Sequence, residues 1–403
     1  MAYGRRMETL TRDVPTGELQ GTYDARFAAV VDAFVENYLT HGEIGASACV
    51  MHDGEVVVDV WGGTADERQG RAWDRDTLVV TFSCTKGATA LCAHLLAARG
   101  ALDLEGPVAD VWPEFATHGK ERATVRMMLD HSVGVPVLRG QVENGELYDW
   151  DRIVGRLEAE EPFWEPGTRN GYHMLNFGWT VGELVRRVSG RSLGSFFREE
   201  VAEPLSIDFW IGLPEQHEHR VAPITGYVRS KGEPLNEFAK TLLADPASIP
   251  GLAMVNGLAF NVNSRECHAA EIGGGGGIGN GRSLAGIYAP LAQGGGSWFS
   301  TDDIDRMRRV STATNYDATL CIPTRFALGF MVSMDNRRIP EADSVLLGEH
   351  GFGHVGMGGS IGFADPSVGL AFGYAMNRQG KGILLNERGQ ALVDAAYRCL
   401  GNA

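Results

Sequence analysis

The stretch TFSCTKGATALCAHLLAARGALDL, residues 81 to 104, puts Lys86 three places after Ser83, where a helical pattern begins with Leu91, Leu95 and Leu96 on one face. On a helix, positions i and i+3 are neighbours, about 5–6 Å apart at Cβ, so the amine can reach the serine hydroxyl. The small residues Gly87, Ala88 and Ala90 that follow suit a helix buried against several neighbours. Burial disfavours an ammonium, which makes a neutral amine available as a base near pH 7. Backbone N–H groups at the helix start also offer donors to an oxyanion. The chain holds 18 serines and 5 lysines, so the pair alone is only a hypothesis. The plain alternative is a helix-capping serine beside a surface lysine. Cys84, adjacent to Ser83, reads as a small buried hydrophobe.

Around this motif lies a chain of 403 residues, long enough for two structural units. A net charge of −15 leaves no basic face for nucleic acid and disfavours anionic membranes. No run of 18 apolar residues exists to span a bilayer, and the opening residues lack the apolar region of a secretory signal. Cys49, Cys84, Cys92, Cys267, Cys321 and Cys399 have no CxxC spacing, so they read as reduced thiols of a cytoplasmic protein. His217 and His219 in EQHEHR read as a solvated loop, and no cofactor or metal is expected.

Residues 23 to 40 show helical spacing. ASACVMHDGEVVVDVWGG then alternates on both sides of Asp53-Gly54, a hairpin signal. From about 83 to 200 the pattern is helical, including NFGWTVGELVRRVSG up to Gly190. The end returns to strands in RFALGFMVSMD and GSIGFADPSVGLAFGYAMN, with a turn at Asp365-Pro366, and a helix closes the chain over about 384 to 400. The expected fold is α/β (α+β): an antiparallel sheet built from both ends (1–82 and 300–403), flanked by helices, with a mostly helical insertion at 83–299 and the site at their interface. The glycine run at 273 to 277 lacks the Gly-Lys-Ser/Thr ending of a phosphate loop and is expected to be a flexible loop.

Two further segments complete a pattern: EPFWEPGTRNGYHMLNFGWTVGELVRRVSG, with Tyr172, and GFGHVGMGGSIGFADPSVGLAFGYAMNR, with His354-Val355-Gly356. Ser-x-x-Lys, Tyr and His-x-Gly in this order resemble the penicillin-recognising serine hydrolases, a group that includes class C β-lactamases, DD-peptidases and family VIII carboxylesterases. TVRMMLDHSVGVP and GIGNGRSLAGIYAPLAQGG resemble auxiliary segments of that family, and the resemblance covers roughly residues 25 to 400.

The resemblance implies an acyl-enzyme on Ser83, with Lys86 and Tyr172 sharing removal of its proton and Tyr172 passing it to the leaving group. It implies an oxyanion hole from the Ser83 and Met357 N–H groups, with His354, Gly356 and Asn176 on the substrate side. Met174 stands where the family's β-lactamases carry Asn, and His354 where many carry Lys. Both departures favour neutral esters, and family VIII carboxylesterases are the nearest subgroup. His173 is a minor rival to Tyr172, and His131 reads as a structural loop residue. Tyr148, Trp150, Phe163 and Trp164 are candidates for an apolar acyl pocket, though core packing is the commoner fate. The absence of Gly-x-Ser-x-Gly excludes an α/β-hydrolase reading. Partners are expected to be a small ester or amide, with self-assembly left open. The rival activities are a D-amino-acid peptidase or amidase, a weak β-lactamase, an acyltransferase or a non-catalytic binding protein.

Overall fold

The computed structural model describes residues 6–401. Strands β1 (Met7–Val14) and β2 (Gly17–Asp24) form a hairpin that the sequence reading did not anticipate. Next, β3 (Gly45–His52) turns into β4 (Glu55–Asp66) through Asp53 and Gly54 at φ 52° and 80°. Positive φ at both central residues gives a turn whose twist matches its strands, which is why Asp-Gly signals a hairpin. The short strand β5 (Arg71–Ala72) pairs with β4. A separate pair, β6 (Val79–Val80) with β7 (Ile278–Gly279), leads into the Ser83 helix.

Strands β8 (Thr312–Thr314), β9 (Thr324–Phe326), β10 (Met331–Val332), β11 (Phe352–Val355), β12 (Ile361–Asp365) and β13 (Leu370–Met376) complete an 11-stranded sheet. Its order is β1-β2-β4-β3-β13-β12-β11-β10-β9-β8, with β5 attached to β4. Strand β13 pairs antiparallel with β3, setting Tyr374 opposite Ala48, so the two ends of the chain meet in mid-sheet as expected. RFALGFMVSMD is two short strands rather than one. Gly329 adopts φ 84°, and the backbone doubles back so that Met331 faces Phe326.

Helices Ala28–Thr40 and Glu387–Cys399 pack against each other on one side of the sheet. The helix Gly281–Ala292, assigned to the insertion in the sequence reading, lies across β3, β12 and β13 on the other side. Its close approach needs bare backbone: a Cβ on Gly373 would sit 2.0 Å from the Gly281 carbonyl.

The glycine run differs most from expectation. Gly273 to Gly277 are all buried and form a strap along the helix Cys84–Ala98. Thr81 N donates to Gly277 O (2.8 Å), Gly277 N to Thr85 Oγ1 (2.8 Å) and Thr89 Oγ1 to Gly273 O (2.9 Å). A Cβ on Gly274 would stand 2.3 Å from the Leu175 carbonyl oxygen, so glycine here serves proximity. Gly274→Ala should therefore cost about 1–3 kcal/mol of stability. Gly155→Ala, at an exposed position of the helix Trp150–Ala159 where a Cβ would meet nothing within 4 Å, should gain about 0.5–1 kcal/mol. Thermal unfolding of the two variants checks both signs.

Candidate active site

Ser83 stands at the N-cap of the helix Cys84–Ala98, every residue of which is buried from Cys84 through Leu96. The preceding Phe82 has φ 48°, an unfavourable conformation for a bulky residue that local bonds hold in place. Thr85 Oγ1 donates to Phe82 O (2.5 Å), and Phe82 bridges to Gly276 of the strap. The N–H groups of Cys84, Thr85 and Lys86 turn back onto the carbonyls of Thr81, Phe82 and Ser83. Among the described residues, neither the Ser83 N–H nor the Met357 N–H donates to another protein group, and both residues line one cleft.

Lys86 is 0% exposed, and no carboxylate among the described residues pairs with it. Its Nζ lies 2.5 Å from Met174 O, 2.6 Å from Gly274 O and 3.0 Å from Ser83 Oγ. Desolvation holds its pKa well below the ordinary lysine value, opposed only weakly by the neighbouring Cys84. A neutral amine has two N–H bonds and one lone pair. Nζ donates to all three oxygens when protonated; after losing a proton it keeps two N–H bonds for the carbonyls and can turn its lone pair to Ser83.

Tyr172 is also buried, its ring 4.8 Å from Lys86 Nζ and stacked on Phe326. Burial pushes its phenol up, and a hydrogen bond with Ser83 partly offsets this. Ser83, Lys86 and Tyr172 thus converge from distant parts of the chain. Desolvation, the largest cause of the upward shift, keeps the phenol protonated.

A platform absent from the sequence reading holds Tyr172 in place. Gly171 N donates to His131 O (3.2 Å), His173 N to His131 Nδ1 (3.2 Å) and Asn170 Nδ2 to Asp130 O (3.0 Å). From the other side, buried Asp317 accepts the Tyr172 N–H (3.0 Å) as well as the N–H groups of Thr319 and Leu320. No motif marked Asp317, and its role appears only when 317 is brought against 172. His131, at φ 66°, centres an aromatic cluster with Tyr172, Phe177 and Phe326.

Other expected residues lie elsewhere. His354 is buried behind the Tyr172 ring, its Nδ1 2.8 Å from Val355 O, and desolvation lowers its pKa to about 3. It does not line the cleft. Gly356 provides closeness: a Cβ there would stand 2.2 Å from Thr81 O. Asn176 turns away, donating from Nδ2 to Val135 O (2.9 Å). His173 Nδ1 meets Gly171 O (2.7 Å), and burial lowers its pKa to about 3, far from a role as the base's partner. Cys84 Sγ contacts His354 O, and desolvation pushes its thiol up, against any nucleophilic role. His217 packs on Trp210.

The cleft before Ser83 has a volume of about 580 Å³. Tyr148, Trp150, Phe163 and Trp164 do not line it; Trp150 Nε1 donates to Glu183 and Trp164 Nε1 to Ser132 O. The aromatic surface comes from Phe82, Phe238, Phe260, Tyr172 and Tyr227.

A beta-lactamase family model matches residues 27–396. The chain is 36% identical over 372 residues to the Esterase/beta-lactamase LipL of Mycobacterium tuberculosis (strain ATCC 25618 / H37Rv), covering 89% of this chain and 82% of that protein. The fold matches a family VIII carboxylesterase structure with TM-score 0.83 and 39% identity, over 95% of this chain and 100% of that one. A penicillin-binding protein homolog from Caulobacter crescentus gives TM-score 0.82 and 32% identity, over 94% and 99%. A match that runs through nearly the whole sheet and insertion shows that the chain belongs to the beta-lactamase family, within the penicillin-recognising serine hydrolases.

Proposed function

We propose that the protein is a carboxylesterase that hydrolyses small to medium acyl esters through an acyl-enzyme on Ser83. The observation that carries this is the Lys86 amine: buried with no carboxylate partner among the described residues, its Nζ lies 3.0 Å from Ser83 Oγ and within hydrogen-bond reach of the Met174 and Gly274 carbonyls, so that on losing its proton it presents a lone pair to the serine. Lys86 takes the Ser83 proton as Oγ bonds to the ester carbonyl carbon, and the negative oxygen turns to the Ser83 and Met357 N–H groups. When the C–O bond to the alcohol breaks, Tyr172 donates its proton to the departing oxygen and is reprotonated from Lys86. Water then repeats the sequence in reverse and releases the acid.

Ester chemistry is supported over β-lactam chemistry by the surroundings. Asn176 faces away from the cleft, and Lys381 at its edge is already held by Glu341 (2.7 Å) and Glu233 (3.3 Å). A substrate carboxylate would have to compete with both. Of the relatives, EstB of Burkholderia gladioli is named an esterase, while LipL is named both esterase and beta-lactamase. All six cysteines are free, which supports a cytoplasmic setting, and no helix among the described residues is long and apolar enough to cross a membrane.

Ser83→Ala should reduce p-nitrophenyl butyrate hydrolysis by about a thousandfold or more, and nitrocefin turnover should stay far below the ester rate. Equal rates in wild type and Ser83→Ala would reject the mechanism. Lys86→Arg should be comparably inactive, because a guanidinium cannot take the proton. Tyr172→Phe, which keeps the ring packing, should lose about 10²–10⁴-fold. In wild type, kcat/KM should persist through neutral pH and fall on the acid side as Lys86 gains a proton. This follows from the downward direction of its shift. A profile still climbing toward the ordinary lysine range would contradict it.

A further inference from the structure

We infer that the cleft wall formed by residues 235–260 is a binding site for an alkyl chain, so that the ester substrates carry a medium-length hydrocarbon rather than acetate alone. The inference rests on the proposed esterase reading. Leu235, Phe238, Leu242, Met254, Leu258 and Phe260 all line the cleft that contains Ser83. They come from one segment, with the helices Glu237–Ala244 and Ile249–Gly257 packed on each other. Phe260 sits 6.4 Å from Phe82, centroid to centroid, so the apolar surface begins next to the nucleophile.

The exposure and chemistry of the wall point the same way. At the mouth, Leu258 is 75% exposed and Met254 41%, large apolar side chains kept in water beside the cleft. Methionine suits a wall that must fit chains of differing length and shape. The volume falls within the roughly 300–1,000 Å³ of small-molecule sites.

The chain can belong to the acid or to the alcohol of the ester, and two substrate series separate these. One varies the acyl group of p-nitrophenyl esters from acetate through butyrate to octanoate; the other varies the alcohol of butyrate esters from ethyl to octyl. A fully buried methylene is worth about fourfold, so partial burial should raise kcat/KM about thirtyfold or more across one series. Leu258→Asp combined with Met254→Asp should lower the long-to-short ratio in that series about tenfold. Leu243→Asp, 66% exposed and outside the cleft lining, should leave the ratio unchanged. Circular dichroism confirms that each variant is folded. Ser83-dependent acetate hydrolysis with no rise in either series overturns the alkyl site and leaves the esterase intact. A rise that the double variant does not flatten removes the wall from the assignment. Failure to hydrolyse any ester overturns the esterase reading itself.

Discussion

A lysine cut off from water, with no carboxylate to answer its charge, cannot comfortably keep its proton, and much of this fold exists to hold Lys86 in that state. The two carbonyls that receive its N–H bonds come from segments 88 and 188 residues away in sequence. One is presented by the glycine strap, which reaches the helix only because its backbone carries no side chains. The other is presented by the stretch after Tyr172, tied down by the loop around His131. The unfavourable backbone at Phe82 belongs to the same arrangement, aiming the serine into the cleft at a local cost that the surrounding bonds offset.

The groups around the amine are arranged to stay uncharged. His131, His173 and His354 cluster near Tyr172, and burial is the main cause that lowers all three pKa values. Neutral imidazoles fill space without competing for the serine proton. Asp317 is bonded to Tyr172, and its oxygens accept backbone N–H groups, including that of Tyr172 itself, together with the Thr324 hydroxyl. It thereby links strand β9, through Thr324, to the Tyr172 backbone.

The parts of this arrangement legible in the sequence are those encoded locally. The Asp-Gly turn, the helix after Ser83 and the i, i+3 spacing of serine and lysine each follow from a few adjacent residues. The pairing of β3 with β13 was foreseeable from strands near both ends. The glycine run was misread because its reason is a partner: glycines chosen for close approach look the same in sequence as glycines chosen for freedom. His354, Gly356 and Asn176 were placed on the substrate side by resemblance, yet their environments come from neighbours far along the chain. Asp317 and the wall at 235–260 left no motif at all, being positions whose meaning is tertiary.

The protonation state of Lys86 is the most direct point of test. The chain has only five lysines, so protein labelled with ¹³C at lysine Cε gives few resonances, and comparison with Lys86→Arg assigns the one of interest. Followed by NMR across acid to alkaline pH, that resonance should report a neutral amine at pH 7, titrating well below the exposed lysines. A Lys86 signal that moves together with the surface lysines in the alkaline range would contradict the account.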